Sequence, residues 1–176
     1  SKLQDENTPF NPQSVYAISK VTCYYLCNLY RKLYDLKIYN AIFYNHESPR
    51  RGSNFVTNKV VKTAVEIKKG LKERLELGNM DSYRDWGHSK DYVRAMHMIL
   101  NSDKPDNYVF GKLNLDFNNH VFQNPKYLRP EELPYLKGDS TKLRNDFNWE
   151  PEYTFESMLD EMIKFWDNEL NSNEIK

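Results

Sequence analysis

A chain of 176 residues suits one domain with a real core, or the larger part of a two-domain protein. Its 25 acidic and 25 basic residues balance, which excludes nucleic acid or an anionic membrane surface as a charge-driven partner. Apolar runs fall far short of the roughly 20 residues that cross a bilayer, and Ser1 to Glu6 is polar, so a soluble, cytoplasmic protein is expected.

Pro9 and Pro12 hold residues 1–13 in a loop, and Asn11, Pro12 and Ser14 signal a helix start. The helix runs to about Tyr34, with Cys23, Leu26, Cys27, Tyr30 and Leu33 or Tyr34 forming an apolar stripe that a sheet or another helix must cover. Cys23 and Cys27, the only cysteines, sit one turn apart. That spacing suits neither a disulfide framework nor a zinc site, so buried thiols and no metal are expected. Ile38 to Tyr44 reads as a buried strand, and helix then strand is half of a βαβ unit.

A polar loop, Asn45-His46-Glu47-Ser48-Pro49-Arg50-Arg51-Gly52, should follow at the strand's carboxyl end, where open α/β sheets gather their ligands. The next helix, from Asn54 to about Lys69, should bury Val56, Val60, Ala64 and Ile67 and stop at Gly70. A strand at 74–77 and a turn at 78–81 lead to Tyr83-Arg84-Asp85-Trp86-Gly87-His88. From Ser89 a helix should bury Tyr92, Val93, Met96 and Ile99 or Leu100, and Tyr108 to Phe110 is another strand. A short helix opens at Gly138-Asp139-Ser140, and an amphipathic one from Thr154 repeats Phe155, Leu159, Met162, Ile163, Trp166 and Leu170. The three tryptophans are simplest as core, and His97 and His120 as surface or packing residues. His88 divides evenly between bracing its loop and lying near a substrate.

Chemistry enters at Ser14-Val15-Tyr16-Ala17-Ile18-Ser19-Lys20. On a helix Tyr16 and Lys20 share a face, and an ammonium beside a phenol lowers its pKa from about 10 toward the range where it can act as a general base. Spacing alone proves little, because 13 tyrosines make a chance Tyr-x-x-x-Lys easy; Tyr108 and Lys112 form a second copy in a strand and turn.

With its following blocks, the first copy resembles the extended short-chain dehydrogenase/reductases and, within them, the GDP-mannose 4,6-dehydratase family. The blocks are Thr8-Pro9-Phe10, Tyr16 to Lys20, Asn45 to Gly52 with Phe55-Val56-Thr57, Gly78 to Asp81, Arg84 to His88, and Tyr127 to Glu132. The resemblance implies a doubly wound, Rossmann-like α/β parallel sheet with a smaller C-terminal substrate-binding lobe. Residues 1–53 and 80–111 would belong to the NADP-binding domain, and 54–79 with 112–176 to the lobe. It also implies a lyase that converts GDP-mannose to the 4-keto-6-deoxy sugar by internal NADP-dependent oxidation, loss of water and reduction. Tyr16 and Lys20 would be catalytic; Lys20, His46 and Arg51 would contact NADP; Asn45, Lys59, Arg84, Arg129 and Glu132 would hold GDP-mannose. A homodimer or homotetramer is implied as well.

The sequence departs from the pattern in three places. It has no Gly-x-Gly-x-x-Gly, so the cofactor half of the fold is absent from it. It lacks the Ser/Thr-x-Glu element before Thr8 that supplies the carbon-5 base, and Glu6 sits at the wrong point to replace it. At Gly111-Lys112 about a helix's length is skipped. Either an N-terminal half and an insert are omitted, with joins at Ser1/Lys2 and near Gly111/Lys112, or this is a truncated chain that binds no cofactor. Competing functions are another dehydratase or epimerase of nucleotide sugars, or a non-catalytic nucleotide-sugar binding or assembly module.

Overall fold

The computed structural model describes residues 3–79, 83–111, 122–123 and 135–173. Arg129, Glu132, His120 and the Lys112 side of the second junction lie outside them, as does the Ser1/Lys2 junction. Among the described residues the order is α1 (Val15–Tyr34), β1 (Asn40–Phe43), β2 (Asn45–Glu47), α2 (Val56–Lys68), β3 (Glu76–Leu77), β4 (Trp86–His88), α3 (Ser89–Leu100), β5 (Asn107–Phe110), β6 (Phe122–Gln123), α4 (Thr141–Phe147) and α5 (Phe155–Asn173).

The strands pair in parallel as β1 with β5, β2 with β4 and β3 with β6, and Ile42 lies opposite Val109 and His46 opposite Gly87. Each pairing spans a helical crossover, the connection that parallel neighbours require. The expected α/β class with parallel strands is what the chain forms. Tyr44 is the step between two pairs, its N–H donating to Phe110 O at 3.0 Å. The chain then continues as β2, so the first three residues of the expected polar loop are strand and Glu47 is buried.

Two clusters make the core. Tyr92, Ala95, Ile99, Tyr108, Phe110, Leu143 and Trp149 join α3, β5 and α4. Val61, Met158 and Met162 join α2 to α5, with Trp86 and Trp166 packed against them. The backbones of Gly111 and Gly138 cross so closely that a Cβ on Gly111 would sit 2.9 Å from the Gly138 Cα and 2.8 Å from Asp85 Oδ2. Only glycine allows that approach. Gly138 N then donates to buried Asp85 at 3.1 Å, locking the C-terminal segment over the end of β5.

Three helix faces differ from expectation. Helix α2 buries Thr57, Asn58, Val61, Thr63 and Val65, while Val56 and Ile67 are exposed. The valines offer two adjacent stripes, and the inner one wins because Asn58 and Thr57 find partners there: Asn58 Oδ1 accepts from Trp166 Nε1 at 2.5 Å, and Thr57 donates to Glu47. In α3, Tyr92 and Ile99 are buried with Asp91 and Ala95, but Val93, Met96 and Leu100 are exposed. Asp91 turns inward because it accepts from Glu152 N at 2.9 Å and Tyr153 N at 3.1 Å.

Helix α1 starts as read, with Ser14 Oγ accepting from Ala17 N at 3.1 Å, and ends where Asp35 turns left-handed at φ 51. None of its residues is fully buried, so among the described residues its apolar stripe is largely uncovered. The thiols are not buried either, Cys23 being exposed and Cys27 half-buried. Its C-terminal half is held by polar groups instead. Arg31 donates to Ile38 O at 2.7 Å, to Asn28 at 3.1 Å and to Asn107 at 3.2 Å, tying the helix to the start of β1 and β5.

Candidate functional site

At the free end of α1, Tyr16 is 71% exposed and the Lys20 ammonium lies 5.3 Å from the centre of its ring. One turn of helix separates them, which is what brings the cation to the phenol. The second Tyr-x-x-x-Lys copy is different in kind. Tyr108 is wholly buried, its hydroxyl donates to Lys104 O at 2.8 Å, and Lys142 covers its ring at 3.6 Å. Of the two phenols, only Tyr16 is open to a ligand.

Strand β2 and the turn after it carry the next group. Asn45 Nδ2 donates to Asp85 O at 3.1 Å, joining this strand to the segment that carries Arg84. His46 Nδ1 lies 3.1 Å from Tyr44 O, a bond that needs the proton on Nδ1 and leaves Nε2 outward-capable. Its ring packs against Phe43 and Tyr92 at 5.4 and 5.6 Å. Arg51 lays its guanidinium 3.6 Å from the centre of the Phe55 ring, with Nε 3.4 Å from Glu47 Oε2. That Nε is buried and has no hydrogen-bond partner.

The remaining expected ligands are placed less closely. Lys59 donates to Glu76 O at 2.5 Å, holding β3 against α2. Half-buried Arg84 donates to Tyr83 O at 2.9 Å. Thus Asn45 and His46 lie on β2 and Arg51 on the turn that follows it, and Asn45 bonds to the backbone of Asp85, next to Arg84. Among the described residues, Tyr16 and Lys20 make no side-chain bond to that turn. Glu6 is committed elsewhere, since its Oε1 accepts from Val109 N at 2.8 Å.

His88 resolves toward the bracing role. It is buried, stacks on Tyr153 at 3.8 Å, accepts from Lys90 N at 3.0 Å and pairs with Glu161 at 2.9 Å. Burial holds its imidazole below the ordinary value against the pull of Glu161. Sequence reading missed the residues under the Arg51 turn: Glu47, Thr57 and Asn58, whose Nδ2 donates to Arg51 O. The available signal was three polar residues beside two arginines on a short strand and a helix's first turn.

A cavity of about 410 Å³ is lined by Asp5, Glu6, Asp139, Lys142 and Asp146 among others. Its carboxylates would repel a diphosphate. Among the described residues no group of three His, Cys, Asp or Glu could hold a metal ion, and no helix is long and apolar enough to cross a membrane.

The sequence profile of the family described as GDP-mannose 4,6 dehydratase matches residues 1–115 and 113–162, two segments that meet beside the Gly111/Lys112 departure. GDP-mannose 4,6 dehydratase 1 of Arabidopsis thaliana is 41% identical over 176 aligned residues, covering 91% of this chain and 49% of its own. The Homo sapiens GDP-mannose 4,6 dehydratase is 36% identical, with 91% and 52% covered. The chain therefore spans about half the length of the curated relatives it matches. Among solved structures, RMD from Pseudomonas aeruginosa complexed with NADPH superposes with a TM-score of 0.80 at 21% identity, over 93% of this chain and 60% of that one. At that identity the likeness speaks to the fold.

Proposed function

Because the chain belongs to the GDP-mannose 4,6-dehydratase family, we propose that the protein converts GDP-mannose to GDP-4-keto-6-deoxymannose as an NADP-dependent hydro-lyase. The observation that carries this reading is the exposed Tyr16 ring with the Lys20 ammonium 5.3 Å from its centre, at the free end of a helix that precedes parallel strands. Tyr16 takes the proton of the sugar 4-hydroxyl, and Lys20 stabilises the phenolate charge and donates to the nicotinamide ribose. NADP, when bound, supplies hydride acceptance at carbon 4 and hydride return at carbon 6.

The residues present fit such a cofactor at one end. Arg51 is held flat on Phe55 with its Nε 3.4 Å from Glu47 Oε2, so its donor fork is held in a way that suits a phosphate. His46 stands on β2, the strand that leads into this turn, with one ring nitrogen engaged by Tyr44 O. For the nucleotide sugar, Asn45, Lys59, Arg84, Arg129 and Glu132 are the proposed contacts, the cations facing the diphosphate and Glu132 accepting from ribose hydroxyls. The proposed lobe of residues 54–79 and 112–176 is supported by α2 packing on α5. A homodimer or homotetramer is supported by the uncovered apolar residues of α1.

The test is turnover by the full-length protein of GDP-mannose against UDP-glucose and dTDP-glucose. A 4-keto product from GDP-mannose alone is expected, with Tyr16→Phe lowering kcat by about 100-fold or more. Full turnover by that variant refutes the mechanism, and product from another sugar nucleotide refutes the substrate.

A further inference from the structure

The Arg51 turn is not a free surface loop; it is built onto side chains of β2, α2 and α5. Arg51 O accepts from Asn58 Nδ2, and Asn58 Oδ1 in turn accepts from Trp166 Nε1 of α5 at 2.5 Å. These bonds fix the backbone. The side chain is fixed separately, by the Phe55 face at 3.6 Å and the Glu47 carboxylate at 3.4 Å. Glu47 is 2% exposed and its Oε2 also accepts the Thr57 hydroxyl. Its carbonyl takes the Ser89 hydroxyl at 3.1 Å, so the strand beneath cannot shift.

A carboxylate buried to this degree is costly unless something is gained from its charge. Burial pushes the Glu47 carboxyl above the usual carboxylate range, outweighing the opposing pulls of Thr57 and Arg51. Ionising it inside the fold is unfavourable, so its contribution to stability is present in full below about pH 4.5 and declines as the pH rises above that.

We propose that Glu47, seated by Thr57, is a positioning residue that aims the Arg51 guanidinium at an anionic group of the dinucleotide cofactor. The inference rests on the reading of Arg51 as a cofactor contact. Glu47 takes the Nε edge of the guanidinium from below and Phe55 takes one face, which leaves the two terminal nitrogens to make paired bonds to a phosphate. Without Glu47 the arginine keeps its charge and loses its direction. Binding should then fall without a matching loss of fold.

The experiment measures the dissociation constant of the full-length protein for NADP⁺ and for GDP-mannose, with melting temperature as control, in Glu47→Gln, Arg51→Ala and the double variant. Glu47→Gln should weaken NADP⁺ about tenfold, leave GDP-mannose affinity unchanged, and keep or raise the melting temperature near neutral pH. In the Arg51→Ala background it should have no further effect on NADP⁺, because the coupling runs through that side chain. Should Glu47→Gln fail to fold, Thr57→Val removes the hydroxyl that seats the carboxylate and should weaken NADP⁺ about threefold in the same cycle. Additive losses, or equal losses for both ligands with a lower melting temperature, mean Glu47 is only structural. If Arg51→Ala binds NADP⁺ as tightly as wild type, it is the cofactor reading of Arg51 that has failed, and the positioning role goes with it.

Discussion

At the scale of single residues, burial separates groups that sequence spacing makes equivalent. Two Tyr-x-x-x-Lys copies look alike on paper, yet one phenol is wholly enclosed and the other 71% exposed. His88 shows the same dependence on surroundings. Its imidazole is held below the ordinary 6.5 by burial, so the folded state stays neutral where the unfolded chain takes up a proton. Stability from this group is complete above pH 6.5 and drains away as the pH falls toward the lowered value. Glu161, held below the usual carboxylate range chiefly by its Lys90 bond, adds to the same acid sensitivity at lower pH. Thermal unfolding followed from pH 7.5 downward should show the midpoint dropping below pH 6.5, and His88→Asn should flatten that drop. An unchanged slope in the variant would show that this imidazole is not the group responsible.

Between elements, polar latches decide which faces pack. Asp91 joins α3 to the turn before α5 by accepting two backbone N–H groups, and Trp149 Nε1 donates to its carbonyl at 3.3 Å. Asp91→Asn keeps the shape but can accept at only one of the two side-chain positions, stranding a backbone donor. The expected loss is about 1–3 kcal/mol in urea unfolding; a smaller change would mean that water replaces the lost acceptor. Latches of this kind also mark the limit of pattern reading. The existence of α1, α3, α5 and the β5 strand was legible from periodicity and caps, because those signals are local. The buried face of α2 and the polar part of that of α3 were not, since Thr57, Asn58 and Asp91 are polar and go inward because partners on other elements await them. The Arg51 turn could be read as a ligand loop from its residues, whereas the carboxylate beneath it could not.

For the whole molecule, the telling observation is how little of α1 is covered. Leu26, Tyr30 and Leu33, which share one face of the helix, are 49%, 48% and 60% exposed. The homo-oligomer proposed above would place this apolar face at its contact. In the full-length protein, Leu26→Asp with Tyr30→Asp should halve the mass in solution by light scattering while leaving the far-ultraviolet circular dichroism intact. An unaltered mass would assign the face to a contact within one subunit. The strand pairing, too, has a consequence in time. Asn40 bonds to Asn107, 67 positions further along the chain, and parallel partners so far apart must close a long loop before any pairing rewards it. During synthesis β1 therefore waits for this partner until β5 has emerged. That interval is when the nascent chain most needs a chaperone.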